Sequence, residues 1–521
     1  MSQGYLLAVD AGTGSGRAVL FNTRGEQVAV AQEEWQHRSE AGFPGSMTFE
    51  TESNWQLLSN AIRQVLHDAN VNASEVLAVS ATSMREGIVL YDADGKELWA
   101  CANVDARASH EVRELSQQHP DLEQHAYKLS GQTFALGALP RLWWVKRNRP
   151  EIYEKTRAVT MISDWVLMRL CGELATDPSN GGTTGIFNNA KRTWEPTLAG
   201  DLGLKEDIFP KVLEPGSVLG KVHRKAASET GLAENTPVIM GGGDAQMGCV
   251  GLGVVKSGQA AILGGSFWQQ EINFAEPIVD PEMMVRINCH AVPKIWQAEA
   301  IVFFSGIVMR WFRDTFCQEE KALAKQKGVD TYVLLEQQAA NVPAGSYGIL
   351  PIFSDVMRYN RWYHAAPSLL NLSLDGERSS KAAIFRALQE NAAIVCAENL
   401  ERVTSFAGHT GDTLTFASGA SKGPLWCQIV SDVTGKALRV PVIKEATALG
   451  TAMAAGVGAG LYKSLSEASE TLVRWEREYT PNGANTEIYS SARERWRKAY
   501  AAQRALVDEG ITESLWKAPG L

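Results

Sequence analysis

The chain has 521 residues, of which 45% are hydrophobic and 21% charged, so it is typical of a soluble globular protein and too long for one ordinary domain. Its formal net charge of −9 argues against a surface built to neutralise the phosphates of nucleic acids or membranes. An anionic cofactor is still compatible with this charge, because backbone N–H groups can bind phosphate locally.

The cysteine and histidine patterns argue against disulfides and metal centres. The seven cysteines are scattered, without a CxxC pair, which favours reduced, buried thiols. The nine histidines show no spacing typical of metal ligands. The apolar run at residues 5–9 is too short for a signal peptide or a membrane span. We therefore expect a soluble, cytoplasmic protein.

The chain begins with strands separated by tight turns. Apolar runs predict these strands at residues 5–9, 17–21 and 28–31. The glycine-rich turn at 10–16 lets the backbone approach a ligand closely, and its hydroxyls together with Arg17 favour phosphate binding. Asp10 at the strand end is a candidate Mg²⁺ ligand through water. A glycine-rich hairpin with a capping aspartate is the alternative, and the lack of Gly-Lys-[Ser/Thr] excludes a Walker A loop.

Strands and helices then alternate, which favours an α/β fold. Further strands are predicted at residues 76–80, 237–240 and 414–416. Helices are predicted at residues 139–146, 381–404, 448–460 and, as a solvated charged helix, 467–477.

The strand–turn–strand unit recurs near residue 260. An apolar run at 259–263 enters the turn Gly264-Gly265-Ser266, and another extended segment follows. Two such units suggest two related domains that face one another. Glycines cluster at the boundary between them, near 250–258. We predict domains at 1–255 and 256–462, followed by a C-terminal helical extension at 463–521.

Two more turns carry candidate chemistry. Three glycines at 241–243 clear space around Asp244, which could deprotonate a hydroxyl that attacks phosphorus; a simple turn aspartate is the alternative. The turn at 418–421 opens a helix, whose N-terminus favours an anion or a nucleotide. The order phosphate turn, carboxylate, phosphate turn, nucleotide turn supplies the parts that phosphoryl transfer needs.

In combination these motifs resemble the FGGY carbohydrate kinase family over essentially the whole chain. The matches to this family lie at residues 10–17, 103–107, 141–144, 176–180, 243–244, 306–314 and 445–450. Segments similar to family members that act on the signal autoinducer-2 lie at residues 83–87, 162–165, 263–268 and 514–521.

The resemblance implies an α/β fold with two ribonuclease-H-like domains of the actin/Hsp70/sugar-kinase superfamily and a cleft between them. It implies ATP, Mg²⁺ and phosphorylation of the C5 hydroxyl of 4,5-dihydroxy-2,3-pentanedione, the quorum-sensing signal autoinducer-2. The alanine- and glycine-rich helix at 448–460 is expected to pack close to the nucleotide-binding domain. A carrier protein of the sugar phosphotransferase system is a possible regulatory partner, and a homodimer is a further expectation.

Site residues follow from the resemblance by position. Asp244 resembles the catalytic base, and Asp10 and Asp244 are the expected metal ligands. The expected substrate-binding residues are Arg85, Glu86, Asn103, Asp105 and Gln246. The expected ATP-contacting residues are Thr13, Gly14, Ser15, Arg17, Gly264, Gly265, Ser266, Gly306, Gly419, Ala420 and Gly423.

The chain departs from the family pattern at four positions. Gly265 replaces the usual threonine, and Ser266 is the expected substitute for its hydroxyl. Ser418 replaces the first glycine of a pair, and Gly423 stands where relatives often place an asparagine near adenine. Asn103 stands where a glycerol-type site has tryptophan, which suits a small hydrated dicarbonyl.

Three alternative functions stay open. The first is a pentulose or polyol kinase of the same family, which the substrate segment at 83–107 discriminates. The second is a chaperone-like or filament ATPase, although the chain has no separate peptide-binding domain after the ATPase core. The third is a catalytically inactive sensor, against which the retained Asp10 and Asp244 argue.

Overall fold

A computed structural model describes residues 4–135, 137–356, 358–359, 363–442 and 445–517. In chain order the strands are β1 (Tyr5–Ala11), β2 (Ser15–Asn22), β3 (Gln27–Glu34), β4 (Val76–Ser83), β5 (Ile88–Tyr91), β6 (Glu97–Cys101), β7 (Ala158–Met161), β8 (Phe187–Asn188), β9 (Thr193–Trp194), β10 (Val218–Lys221), β11 (Pro237–Gly243), β12 (Ala260–Gly264), β13 (Trp268–Phe274), β14 (Arg286–Cys289), β15 (Trp296–Val302), β16 (Leu350–Ile352), β17 (Ser368–Leu370), β18 (Thr413–Ala417), β19 (Ala437–Pro441) and β20 (Trp475–Tyr479). The helices are α1 (Thr51–Asp68), α2 (Ser109–Gln118), α3 (Pro120–Ser130), α4 (Ala138–Asn148), α5 (Pro150–Lys155), α6 (Ile162–Cys171), α7 (Pro178–Gly181), α8 (Thr197–Gly200), α9 (Arg224–Thr230), α10 (Asp244–Gly251), α11 (Ser305–Phe316), α12 (Gln318–Lys327), α13 (Thr331–Ala339), α14 (Lys381–Ala407), α15 (Pro424–Thr434), α16 (Ala446–Gly458), α17 (Leu465–Leu472) and α18 (Gly483–Asp508).

Two mixed sheets organise the two halves of the molecule. The first has the strand order β10-β11-β4-β1-β2-β3, and the second has the order β14-β15-β13-β12-β18-β19-β20. In both sheets a strand pairs antiparallel with its successor and parallel with a later strand, as β1 does with β2 and β4, and β12 with β13 and β18. The shared order confirms the predicted α/β class with two ribonuclease-H-like domains, whereas the predicted boundaries stay predictions.

The first sheet is covered on both faces, so its central strand β1 is apolar over residues 5–9. Leu7 and Val9 join the apolar cluster that contains residues of α1 and α6. Leu6 and Ala8 join the opposite cluster, which contains residues of α10 and α16. Alternate side chains of a strand point to opposite faces, so the uninterrupted apolar run of β1 reflects burial on both sides.

Helix α16 packs mainly on the first sheet, and its first residue joins the apolar cluster that contains residues of β12 and β18 in the second sheet. The expectation that it lies close to the nucleotide-binding domain stays a prediction. Glycines permit the close approach of α16 to α10. A Cβ on Gly450 would lie 1.9 Å from the Met247 carbonyl oxygen, and a Cβ on Gly251 would lie 1.9 Å from the Ala446 carbonyl oxygen. Since α16 follows β19 of the second sheet, it joins the two halves.

The charged helix predicted at 467–477 is wrong beyond Leu472. Helix α17 ends there, and β20 follows and pairs antiparallel with β19. Half-buried Trp475, Arg477 and Tyr479 alternate with exposed residues, which is the period of a strand at a sheet edge. The predicted helical extension at 463–521 therefore contains a strand in addition to α17 and α18.

None of the helices in the described part of the chain has the length and apolar character needed to cross a bilayer. The seven cysteines are free thiols, and Cys171 is the one that is not fully buried. Among the described residues, no group of three His, Cys, Asp or Glu is placed to hold a metal ion.

Candidate active site

The first predicted phosphate turn connects β1 to β2. The N–H of Gly12 donates to the carbonyl oxygen of Ser15 over 2.9 Å and closes the turn. Thr13 and Gly14 are exposed at its tip, and a Cβ on Gly14 would meet no atom within 4 Å. The tip is therefore open to a ligand.

Asp10 and Arg17 form an ion pair at the base of this turn. They are register partners in β1 and β2, and Arg17 Nη1 also lies 2.9 Å from Oε2 of Glu445, just before α16. Burial raises the pKa of Asp10 above its ordinary value, and Arg17 opposes this rise. The guanidinium expected to contact phosphate is thus held by two carboxylates.

Asp244 begins α10 directly after β11. Its Oδ1 accepts a hydrogen bond from the N–H of Ala245 (2.7 Å) and lies 3.4 Å from Nε of Arg85, while 42% of the side chain is exposed. Loss of solvation raises the pKa of Asp244 to about 6, although Arg85 lowers it. A reachable carboxylate with a pKa near neutrality has the properties of a general base.

The donor set at this point fits Mg²⁺. Asp10 contributes to the raised pKa of Asp244, so the two expected metal ligands lie near one another. Mg²⁺ is usually held by one or two carboxylates together with substrate phosphates, and the oxygens of Asp10 and Asp244 are donors of that kind.

A buried network of alternating charge lies beside Asp244. Arg85 contacts Glu299 of β15, and Arg286 of β14 donates to Oε1 of Glu86 over 2.5 Å. Sequence reasoning missed Arg286 and Glu299. Charged residues inside short strands of the second sheet, where apolar neighbours indicate burial, are the signal that could have identified them.

The backbone around Glu86 is held in an uncommon conformation. Its φ is 65°, a region that non-glycine residues rarely adopt, and Arg141 donates to its carbonyl oxygen. Arg141 also donates to the carbonyl oxygens of Asn103 (2.8 Å) and Asp105 (3.1 Å). Such conformations concentrate at functional sites, and Arg141 fixes the backbone of three expected substrate-binding residues.

Asn103 lies next to the predicted phosphate turn, whereas the Asp105 side chain is buried in an ion pair. Oγ1 of Thr13 donates to Oδ1 of Asn103 over 3.2 Å. The Asp105 side chain has no exposed surface, because its carboxylate accepts from Arg107 and from the N–H of Met47. Its expected contact with substrate stays a prediction without geometric support.

Gln246 lies near Arg85 and is fully buried. Its Nε2 donates to Oε1 of Gln297 over 3.0 Å, and its Oε1 accepts from no described residue. A Cβ on Gly243 would lie 2.8 Å from that oxygen and 3.0 Å from Cδ of Arg85. Gln246 is therefore close to the candidate base but does not line its open side.

The expected ATP contacts of the second half come together around one cavity of about 550 Å³. The cavity lining includes Gly264, Gly265, Ser266, Gly306, Gly419, Ala420 and Gly423. Its walls depend on glycine, since a Cβ on Gly306 would lie 2.2 Å from the Gly265 carbonyl oxygen. Ser418 adopts φ 75° and ψ −160°, a conformation that is essentially restricted to glycine.

The same cavity has a wall that the sequence did not single out. It is formed by Tyr332, Glu336, Phe385, Gln389 and Trp426. A Cβ on Gly423 would lie 2.1 Å from Oε1 of Glu336, to which Nε2 of Gln389 donates over 3.0 Å. Glu336 thus fills the space that an asparagine at 423 would need. Aromatic faces with a few polar groups suit a nucleobase.

Comparison with known proteins identifies the family. A model described as the FGGY family of carbohydrate kinases, N-terminal domain, matches residues 5–251, and the corresponding C-terminal domain matches residues 274–459. The chain belongs to the FGGY family of carbohydrate kinases. Among its FGGY relatives, proteins named Autoinducer-2 kinase from Salmonella paratyphi B and Yersinia pseudotuberculosis are 56% and 57% identical over 518 residues, which cover 99% of this chain and 98% of each relative.

Solved structures support the same FGGY fold. A ligand-bound xylulose kinase from Lactobacillus acidophilus is 18% identical with a TM-score of 0.85, covering 97% of this chain and 99% of that one. Plasmodium falciparum glycerol kinase with ADP is 19% identical with a TM-score of 0.81, covering 96% of this chain and 98% of that one. These similarities show that the two-domain architecture is shared.

Proposed function

We propose that the chain is an ATP-dependent kinase that phosphorylates the C5 hydroxyl of 4,5-dihydroxy-2,3-pentanedione, autoinducer-2, in the cytoplasm. The observation that carries this proposal is the 56–57% identity, over 99% of the chain, to relatives named Autoinducer-2 kinase. The cleft geometry supports the chemistry, because an accessible carboxylate, buried charges and a nucleotide-sized cavity occur in one fold.

Asp244 acts as the base in this proposal. Its carboxylate takes the proton of the C5 hydroxyl as that oxygen attacks the γ-phosphorus, and the bond from the phosphorus to the bridging oxygen breaks to release ADP. Arg85 and Glu86 offer a donor and an acceptor to the carbonyl and hydroxyl groups of the substrate. Asn103 adds a side-chain amide to these contacts. Gln246, which is buried nearby, supports the substrate-binding side chains.

ATP is assigned to the cavity of the second half. Backbone N–H groups of the turns at 264–266 and 418–421 donate to its phosphates, and the turn of Thr13, Gly14 and Ser15 contributes from the first half. Mg²⁺ held by Asp10 and Asp244 would neutralise phosphate charge. Residues 1–255 would thus bind substrate and residues 256–462 nucleotide, while a phosphotransferase carrier partner and a homodimer stay predictions.

An ADP-release assay across candidate acceptors tests the proposal. We expect kcat/KM for the dihydroxypentanedione to exceed that for pentuloses and polyols by about 100-fold or more, since a site built to hydrogen-bond one set of oxygens discriminates strongly. Faster turnover of a pentulose or a polyol would replace the proposed substrate. ADP release with protein polymers and no phosphorylated acceptor would indicate a filament ATPase.

A further inference from the structure

The buried charges beside Asp244 cross between the two halves of the molecule. Arg85 and Glu86 follow β4 of the first sheet, whereas Arg286 and Glu299 lie on β14 and β15 of the second. Arg85 contacts Glu299, and Arg286 contacts Glu86. None of the four side chains is more than 10% exposed. The two contacts therefore form a crossed pair of ion pairs at the point where the halves meet.

Glu299 is shared between two arginines. Its Oε2 accepts from Arg85, and its Oε1 lies 3.3 Å from Nη1 of Arg286. Nε of Arg286 also donates to Oε1 of Gln132 over 3.0 Å. Each nitrogen of the Arg286 guanidinium has its own acceptor, so the position of this group is fixed. Because Glu299 contacts both arginines, it also fixes the position of Arg85.

Arg85 and Glu86, the two residues from the first half, keep polar atoms that can bind a ligand. Arg286 occupies Oε1 of Glu86, and no described residue donates to Oε2. Arg85 uses Nη1 for Glu299 and directs Nε towards Asp244, 3.4 Å away. The second half thus holds Arg85 and Glu86 in place without occupying all of their polar atoms.

Glu271 provides an internal comparison for Glu299. The two are register partners on β13 and β15, and both are fully buried. Burial and the neighbouring Glu299 raise the pKa of Glu271 well above its ordinary value. Burial also opposes ionisation of Glu299, but Arg85 and Arg286 outweigh it and lower the pKa of Glu299 to about 2. The two arginines thus favour the charged form of Glu299, whereas burial and the neighbouring Glu299 favour the protonated form of Glu271.

We propose that Glu299 and Arg286 are positioning residues for the acceptor substrate, which hold Arg85 and Glu86 ready to bind its oxygens. The inference rests on the proposed function, since it takes Arg85 and Glu86 as substrate-binding residues. Side chains fixed before binding lose less conformational entropy when the ligand arrives. The acceptor site is therefore complete only where the two halves touch.

Steady-state kinetics of Glu299→Gln, with the dihydroxypentanedione and ATP varied separately, test this inference. We expect KM for the acceptor to rise by about tenfold or more, because the charge-assisted contact that orders Arg85 is weakened. KM for ATP should be unchanged. Glu271→Gln is the matched control, since it makes the same change at the buried register partner of Glu299, and its acceptor KM should remain that of the wild-type protein.

Calorimetric binding of ADP shows whether each variant folds. If Glu299→Gln does not fold, Glu299→Asp and Arg286→Lys are the alternative variants. Acceptor KM should still rise, because a shorter carboxylate or an ammonium cannot make all the contacts at once. The rise should be smaller than for Glu299→Gln, because both variants keep the charge. A folded Glu299 or Arg286 variant with normal acceptor KM, or an equal rise in both KM values, would overturn this inference but not the proposed function. A wild-type protein that phosphorylates no alcohol would overturn the proposed function as well.

Discussion

The carboxylates around the cleft differ in what they can reach. The Asp244 side chain is 42% exposed, whereas the carboxylates of Glu299 and Asp105 are buried in ion pairs with arginines. A base must meet the hydroxyl that it deprotonates, so Asp244 is the carboxylate among these three that can serve. The others order the surrounding side chains.

Asp244→Asn should lower kcat by about 10²- to 10⁴-fold, because an amide cannot accept the hydroxyl proton. The affinity for ADP in the absence of Mg²⁺ should remain that of the wild-type protein, since Asp244 is not among the residues that line the cavity proposed to bind ATP. ADP-release kinetics and calorimetry measure the two quantities. Wild-type turnover by the asparagine variant would remove Asp244 from the mechanism.

Local sequence patterns predicted the turns of the site better than its ion pairs. The segment Gly264-Gly265-Ser266 lies in the cavity, as its glycines indicated. The partners of Arg85 and Glu86 lie 214 and 200 residues away, a separation that no local motif encodes. Asp105 fits a substrate motif by position, and the motif did not show that its carboxylate forms a buried ion pair with Arg107.

Helices α10 and α16 connect Asp244, the candidate base, to the second half of the molecule. Oγ1 of Thr447 on α16 donates to the carbonyl oxygen of Asp244 over 3.3 Å. The approach of the two backbones leaves no room for a side chain at Gly450 or Gly251. The placement of Asp244 therefore depends on small residues in both helices.

Gly450→Ala should destabilise the protein by about 1–3 kcal/mol or more, because its methyl group would meet the carbonyl oxygen of Met247, which cannot yield without moving α10. Gly248→Ala on the same interface is the control. Its Cβ would lie 3.2 Å from the Thr447 hydroxyl, a side chain that can move. Urea unfolding midpoints compare the two. Equal midpoints would show that the close approach is not required.

Prediction of strands and helices from the sequence succeeded where a short apolar pattern is enough to identify the element. The runs at 5–9, 17–21, 76–80 and 237–240 lie within β1, β2, β4 and β11, and 381–404 lies within α14. It failed at β20, whose strand character depends on pairing with β19. The sequence also did not show that α16 packs mainly on the first sheet, because its small residues permit close packing on either sheet.

Within the whole molecule, His290 connects the second sheet to the segment that follows α10. It is fully buried, its Nε2 donates to the carbonyl oxygen of Val254 (3.0 Å), and its Nδ1 accepts from the N–H of Val292 (2.9 Å). Burial, and then the charge of Arg192, lower the pKa of His290 to about 3. The folded protein therefore holds this imidazole neutral.

Stability should fall as the pH decreases from 6.5 towards 3, because only the unfolded chain can protonate His290 over that range. Between pH 7 and pH 5 this residue should account for about 2 kcal/mol of lost stability. His290→Gln, which keeps a donor and an acceptor, should lose less by that amount in urea unfolding at the two pH values. Identical losses in both proteins would contradict a neutral buried imidazole.

Incubation with ATP, Mg²⁺ and 4,5-dihydroxy-2,3-pentanedione, followed by phosphorus–proton correlation NMR, tests most directly whether the cleft performs the proposed transfer. We predict a single phosphate ester on the C5 oxygen, formed together with one ADP per ester. Phosphate on a different oxygen, or ADP and free phosphate without any ester, would contradict the assignment of Asp244 and the cleft to this reaction.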